Sequence, residues 1–383
     1  MRIGFLFNHD QAHQVAHSLP IALALAKRGG HEIILAVTSD VVEEEVRRIA
    51  GDALGSMTLV RLRTKAGLRQ KLAAALDRIV PANRLSIYAD NLDFFRQFDV
   101  LVVSEKTSLG LKTRYGLNNL KIVHSRHGAG DRAIGFSEES KAFDLSLVAG
   151  PKIRDRLIAV GVAPEKIALT GYVKFDLLPE TPPQLPLQAN GRPTVLYNPH
   201  PSPHLSSWYQ WGEDILRQFA GQDRYNLIFA PHVMLFHRPV NFALDKLSAA
   251  RAVPPDPAYS AFPHMLIDLG SEASTDMRYT QAADIYMGDA SSQIYEFLLT
   301  PRPCLFLDAH ETKWQGDPNY LHWEAGPVAT SADNIIAQID AAVANHNAYL
   351  VRQQELFAST FDVSDRPSAE RAADAIERLA RHG

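Results

Sequence analysis

The feature that most constrains this chain is an alternation of short apolar runs with helical stretches, maintained over almost its whole length. IGFLF, HEIILAV, FDVLVVSE, LKIVHSRHG, FDLSLVAG and KIALTGY read as strands. AHQVAHSLPIALALAKRGG, VEEEVRRIAGDA, LRQKLAAALDRIV and PKIRDRLIAVG read as helices between them. Strands that alternate with helical crossovers predict a parallel sheet. The pattern stops at LLPETPPQLPLQANGRP, a proline-rich polar stretch that reads as a linker. It then resumes with TVLYNP, YNLIFAPH, HMLIDLG, AADIYMGD, PCLFLD and GPVAT, with helices such as SWYQWGEDILRQFAG, SQIYEFLLT and ADNIIAQIDAAVANH between them. A chain of 383 residues is long for one core. The expected organisation is a Rossmann-like domain over 1–178, a linker over 179–193 and a second Rossmann-like domain over 194–365. A C-terminal helix over 366–383, capped by Ser368, is expected to pack back on the first domain.

Composition narrows the function. A net charge of −4 and a pI of about 6.4 supply no basic field, so nucleic acid is not an expected partner. The single cysteine, Cys304, excludes an internal disulfide and a cysteine-based zinc site and suits a reducing compartment. No stretch approaches the roughly 18–20 apolar residues of a membrane span, so a cytoplasmic protein is expected.

Ligands of open α/β sheets lie beyond the carboxyl ends of the strands, so the strand-to-helix turns are the places to look for chemistry. In GDASSQIYEF, Ser291 and Ser292 fall where an apolar strand hands over to a helix, a position suited to an anion; Glu296 lies one turn on, within reach of ribose hydroxyls. The same residues also read as an ordinary N-cap and a surface acid. In SRHGAGDRAIG, His127 can act as general base, Gly128 and Gly130 permit tight backbone geometry, and Arg132 can neutralise phosphate; a loop histidine without a role is the plainer reading. His124 reads as a core strand residue. YNPHPSPHLSSW supplies His200 and His204, and FAPHVMLFHRP supplies His232 and His237, with His232 facing the expected cleft. His9, in the loop after the first strand, joins His200 and His204 as a candidate donor or acceptor contact. His13 and His17 have helical i, i+4 spacing, but the zincin glutamate and a third ligand are missing, so no metal is expected, and no cofactor either. P-loop, GxSxG and GxGxxG patterns are absent from the sequence.

These residues resemble the CDP-glycerol glycerophosphotransferases that build teichoic acids. Asp289, Ser291, Ser292, Tyr295, Glu296, Arg302 and Pro303 fall on that family's Asp-Tyr-Ser-Ser, aromatic, acid and Arg-Pro pattern. RHGAGDRAIG resembles its His-Gly motif, with Arg132 where lysine is usual. TGYVKFDLL resembles its Thr-Gly-Tyr-Pro-Arg-x-Asp segment, with Asp176 matching, and LIFAPH resembles the strand bearing its second histidine, which points to His232. FDVSDRPSAERAADAI resembles its C-terminal ending. The likeness runs over roughly residues 120–380. Departures are NPHPSPHLSS in place of Pro-Thr-Trp-Arg, Ala290 in place of tyrosine, and Glu296 in place of aspartate.

The resemblance implies an α/β protein of the GT-B fold, two facing Rossmann-like domains with a cleft between them, 1–178 as the acceptor domain and 194–365 as the nucleotide-donor domain. It also implies a transferase that moves a glycerol-phosphate or related alditol-phosphate group from a nucleotide-diphosphate donor, CDP-linked by preference, to a hydroxyl of a polymeric or lipid-linked acceptor. His127 would be the base, Arg132 and His232 would stabilise phosphate, and Gly128, Asp289, Ser291, Ser292 and Glu296 would bind the donor. A glycosyltransferase using a nucleotide sugar, an enzyme like the UDP-GlcNAc 2-epimerases, and a non-catalytic relative are the alternatives. RLRTKAGLRQKLAAALDRIV, rich in basic residues, reads as a solvated face or as peripheral docking to anionic lipid at the inner membrane face.

Overall fold

A computed structural model describes residues 1–8, 11–64, 82–126, 128–131, 136–243, 246 and 248–381. The helix expected over LRQKLAAALDRIV, and with it most of the basic stretch read for lipid docking, lies outside the described residues. The chain divides into two compact units. The first comprises 1–128, 134–178 and 359–383; the second comprises 129–133 and 179–358.

In the first unit the strands are β1 (Arg2–Phe7), β2 (Glu32–Val37), β3 (Thr58–Arg61), β4 (Val100–Val103), β5 (Lys121–Ser125), β6 (Leu145–Val148) and β7 (Ile167–Leu169). They form one sheet of seven strands in the order β3-β2-β1-β4-β5-β6-β7, every pair parallel. Phe5 of β1 pairs with Leu35 on one side and Val102 on the other, and all three side chains are buried. β3 has no counterpart in the sequence reading: it is an edge strand with a partly exposed TLVR sequence, and its apolar signal is correspondingly weak.

The single helix expected after β1 divides. A 3₁₀ turn covers Ala12–His17 and an α-helix covers Leu19–Arg28, with Pro20 in its first turn, where the missing N–H costs no helical bond. At three residues per turn, positions i and i+4 do not share a face, so the spacing of His13 and His17 loses its meaning. His17 instead packs its ring 5.5 Å from that of Tyr172.

The C-terminal segment returns to this unit. Helix Ser368–Arg381 buries Ala369, Ala372, Ala373 and Ile376 in the same core as Leu19, Ala22 and Leu25. Small alanines on that face let the two helices approach closely. Arg28 pairs with Glu370, Asp374 and Glu377 across the contact. Ser368 is the first helical residue rather than the expected cap. The capping acceptor is the Asp176 carboxylate, which takes the amides of Ser368 at 3.0 Å and Ala369 at 2.6 Å. Gly171, at φ 86°, is held so close that a Cβ would lie 2.5 Å from Ser368 Oγ and 2.8 Å from Asp362 O. The glycine and aspartate of TGYVKFD therefore dock the tail.

The second unit contains β8 (Thr194–Asn198), β9 (Asn226–Phe229), β10 (Val240–Ala243), β11 (Ser248–Arg251), β12 (Met265–Ile267), β13 (Ile285–Gly288), β14 (Cys304–Leu307) and β15 (Val328–Ala329). Six of these form a parallel sheet in the order β12-β9-β8-β13-β14-β15. β10 and β11 form a separate antiparallel hairpin absent from the sequence reading; Phe242 stands exposed there and no apolar face is built. Helices Trp208–Ala220 and Ile335–Ala344 bury Ile215, Leu216, Phe219, Ile335 and Ile339 against this sheet. Among the described residues no helix is long and apolar enough to cross a membrane.

Asp176 accepts the backbone amides of the first two residues of the C-terminal helix. Asp176→Ala is expected to lower folding stability by about 2 kcal/mol, because two helix-start donors lose a charged acceptor. Urea unfolding with an unchanged m-value checks this; a loss below about 0.5 kcal/mol would show that water replaces the cap.

Candidate functional site

In the second unit the sheet grows outward from β8, first to β9 and later to β13 on the other side. The connections reverse between β8 and β13, and a crevice at the carboxyl ends of such strands is where α/β sheets bind ligands. Three loops emerge there: Pro199–His200 after β8, Pro231–His232 after β9, and Gly288–Ser292 after β13. β13 can approach this closely because residue 288 is glycine; a Cβ would sit 2.9 Å from the Asn198 carbonyl and 2.8 Å from the Tyr286 hydroxyl.

Asp289 is sealed from solvent, at 0% exposure. Its Oδ1 accepts the His200 amide at 2.8 Å and its Oδ2 accepts the Ser207 amide. Burial pushes its carboxyl up to about 7, against the opposing pull of those hydrogen bonds. An enclosed carboxylate with both oxygens occupied organises the loop after β8. Ser207, which the sequence reading passed over, also bonds Tyr197 through its hydroxyl at 2.8 Å.

The loop so held brings His200 beside His232 from the loop after β9. The rings of His200 and His232 lie 5.9 Å apart. In each, Nδ1 accepts the backbone N–H two residues on, from Ser202 at 3.0 Å and from Met234 at 3.2 Å. A neutral ring whose Nδ1 accepts carries its proton on Nε2, so this local geometry selects one tautomer in both residues. Burial pushes the His232 imidazole down to about 4, against an ordinary 6.5. His232 is therefore neutral at neutral pH, with an N–H donor at Nε2.

The serine turn departs from expectation. Its helix is Gln293–Phe297, five residues, and brings little aligned dipole to bear. Ser292 begins it without a side-chain cap and is exposed; Ser291 is buried, and its hydroxyl accepts the Gln293 amide at 3.3 Å. Glu296 is 6% exposed, so it is not a surface acid. Arg302 is structural. Its guanidinium donates to the carbonyls of Thr280, Gln281, Ala283, Phe297 and Thr300 and lies 3.8 Å over the Phe297 ring.

Residues 129–131 belong to this unit, and no motif marks their main contact. The Asp131 carboxylate is buried against the Tyr295 hydroxyl at 2.6 Å, the His322 amide at 3.0 Å and His322 Nδ1 at 2.8 Å. His322 stands in PNYLHWEAGP, which has no motif to mark it.

The other candidates are dispersed. His127, Arg132 and His9 lie outside the described residues. Gly128 belongs to the first unit and has φ 73°, a conformation that side-chain-bearing residues rarely adopt. His204 sits half-buried in the turn before helix Trp208–Ala220. His124 is a core residue: Nε2 bonds the Ser104 carbonyl at 3.2 Å, and the ring stacks on Phe143 at 4.4 Å.

No protein-family model matches the chain, and no curated protein matches it. Solved structures do. A Listeria monocytogenes protein assigned as a UDP-N-acetylglucosamine 2-epimerase has a TM-score of 0.62 at 13% identity, over 100% of this chain and 97% of its own. S. aureus MnaA in its co-structure with UDP has 0.61 at 12% identity, over 99% and 97%. The wall teichoic acid polymerase TagF has 0.61 at 13% identity, over 100% and 89%. The fold is GT-B. Identities this low establish the GT-B architecture alone.

His232 also makes a stability prediction. Its folded-state pKa lies below the ordinary value, so between about 6.5 and 4 the unfolded chain binds a proton that the folded one refuses. Stability should therefore fall as pH drops through that window. Asp289, with its raised value, acts in the opposite sense below about 7, so the contribution must be read as a difference. Relative to wild type, His232→Gln is expected to gain on the order of 2 kcal/mol between pH 7 and pH 4. Parallel stability curves for the two proteins would show that the ring protonates freely.

Proposed function

We propose that this chain is a GT-B transferase acting on a nucleotide-diphosphate donor, CDP-linked by preference. It would move a glycerol-phosphate or related alditol-phosphate group to a hydroxyl of a glycan or lipid-linked acceptor in cell-envelope polymer synthesis. The observation that carries the reading is the His200–His232 pair at the switch point of the second unit, beside the Ser291–Ser292 turn. Two imidazoles set in the Nε2–H tautomer, a serine turn and a crevice at the strand ends suit a pyrophosphate. TagF, which shares the fold, has been soaked with CDPG, which supports a CDP-linked donor.

In this mechanism the acceptor hydroxyl attacks the donor phosphorus distal to the nucleoside. An oxygen–phosphorus bond forms, the bond to the nucleoside monophosphate breaks, and the hydroxyl proton passes to a base. His127 takes that role on its place in RHGAGDRAIG, and Arg132 assists with phosphate charge. His232 stabilises the phosphoryl oxygens as a neutral donor, Ser291 and Ser292 hold the pyrophosphate, and Glu296 meets the ribose. Asp289 contributes by holding His200 in place. A second reading, a nucleotide-sugar enzyme using UDP, draws on the UDP co-structure of MnaA, which has the same fold.

A thermal-shift panel of CDP, UDP, GDP, CMP and TDP separates the two. A ligand at 100 times its dissociation constant should stabilise the protein by about 2.7 kcal/mol. Selective stabilisation by CDP supports the first reading, by UDP the second, and no response to any diphosphate removes both. With a responding donor, Ser291→Ala combined with Ser292→Ala should weaken diphosphate binding at least tenfold while sparing the nucleoside, since each charge-assisted hydrogen bond is worth about 1.5–3 kcal/mol. Equal losses for both ligands would reduce the serines to local structure. His127→Ala should abolish most turnover of CDP-glycerol and leave CDP affinity intact; near wild-type turnover would take the base role from His127.

A further inference from the structure

We propose that Asp131 and His322 form a buried clasp that holds residues 129–131 against the Gly288–Ser292 turn, and that this clasp positions the turn for its anion. The proposal rests on the reading of that turn as a phosphate site and adds positioning residues to it.

The geometry runs through one ring. His322 Nδ1 lies 2.8 Å from the Asp131 carboxylate and Nε2 lies 3.2 Å from the Asp289 carbonyl. The ring is thus bracketed on its two nitrogen edges by the Asp131 carboxylate and the Asp289 carbonyl. The side chains are 4% and 0% exposed. This is an enclosed histidine–carboxylate contact, and the carboxylate also accepts from the Tyr295 hydroxyl and the His322 amide.

The far end of the pair bears on the site. The same Asp289 carbonyl also accepts Trp323 Nε1 at 3.2 Å. Two side-chain donors on one oxygen fix the peptide plane that leads into Ala290 and Ser291. The Asp289 carboxylate, meanwhile, holds the amides of His200 and Ser207. A single residue is thus gripped through its main chain by His322 and grips the histidine loop through its side chain. At the near end, Gly130 lies against the turn itself: a Cβ added there would be 3.3 Å from Ser292 Cβ. The path from Asp131 through His322 and Asp289 to His200 is a continuous set of hydrogen bonds within one unit.

Stability alone is a poor account of such a pair. A buried polar pair can be replaced by apolar groups of the same shape at little cost to folding, whereas the loss of one partner leaves the other without its hydrogen bond. What a hydrogen-bonded pair supplies that an apolar contact lacks is direction. Asp131 lies at the Nδ1 edge of the ring and the Asp289 carbonyl at its Nε2 edge, so one orientation of ring and carbonyl meets both.

The test uses Asp131→Asn, His322→Asn and the two combined in the full chain. Hydrogen exchange in the free protein is followed in peptides containing Ala129–Asp131 and Gly288–Ser292. CDP, UDP, cytidine and uridine are titrated calorimetrically. Each single variant should speed exchange in both segments together. Each should also weaken the preferred diphosphate at least tenfold and its nucleoside less than twofold. In the combined variant a neutral amide pair should restore the melting temperature. The shorter asparagine amide takes the place of Nδ1 and reaches residue 131, but it leaves no atom at the Nε2 position to bond the Asp289 carbonyl, so diphosphate affinity should stay low. Affinity that recovers in step with the melting temperature would overturn the proposal, as would unchanged exchange in Gly288–Ser292. A wild-type protein that binds no diphosphate would sink the phosphate reading while the exchange arm still decides the clasp. Should the single variants fail to fold, Tyr295→Phe removes one hydrogen bond to Asp131, and the same paired exchange response is expected of it.

Discussion

A carboxylate closed off from water at the end of β13 sets the terms for the second unit. Asp289 must find donors for both oxygens, because a buried charge without partners costs several kcal/mol. It finds them in the amides of His200 and Ser207, which folds the loop after β8 across the end of its own sheet. That loop then has one place to put the His200 ring, beside His232 from the neighbouring strand. The closeness of the strands is itself conditional: residue 288 has no side chain, and any other residue would collide with the Asn198 carbonyl. A packing constraint, an electrostatic requirement and a candidate binding geometry are therefore successive consequences of the same turn.

The first unit shows how residues with a motif-like appearance can serve architecture. Asp176 and Gly171 lie in a segment resembling part of a transferase family, yet their contacts are with the returning tail. In the second unit Arg302 likewise satisfies five carbonyls at the junction of two short helices. Short helices leave many carbonyls without intrahelical partners, and a planar guanidinium with several donors is well matched to that deficit. A spacing match identifies a residue with a job; whether the job is binding or bracing depends on what the surrounding backbone lacks.

Much of the architecture was legible in advance. Runs such as LVV and YNLIF are apolar on both faces, and only a sheet covered by helices on both sides buries them, so the parallel α/β arrangement followed from pattern alone. Elements whose burial is partial were not legible. β3 sits at an edge, and the hairpin β10–β11 leaves Phe242 in solvent, so neither carries a strong signal. The helix expected after β1 broke at Ser18–Pro20 because local backbone chemistry outweighed its apolar periodicity.

For the candidate site the division is sharper. The sequence by itself determined which residue types stand at the strand ends: histidines after β8 and β9, and Asp-Ala-Ser-Ser after β13. Strand ends are set by local hydrophobic pattern, so their flanking residues can be read directly. Tertiary structure alone decided what those residues do. It enclosed Asp289 and Glu296, left Ser292 exposed and lowered the proton affinity of His232. It also joined Asp131 to His322 across a separation of 191 positions. Burial and hydrogen-bond partnership depend on groups far away in the chain, and the same side chain is a ligand contact when exposed and a scaffold when its polar atoms are already taken.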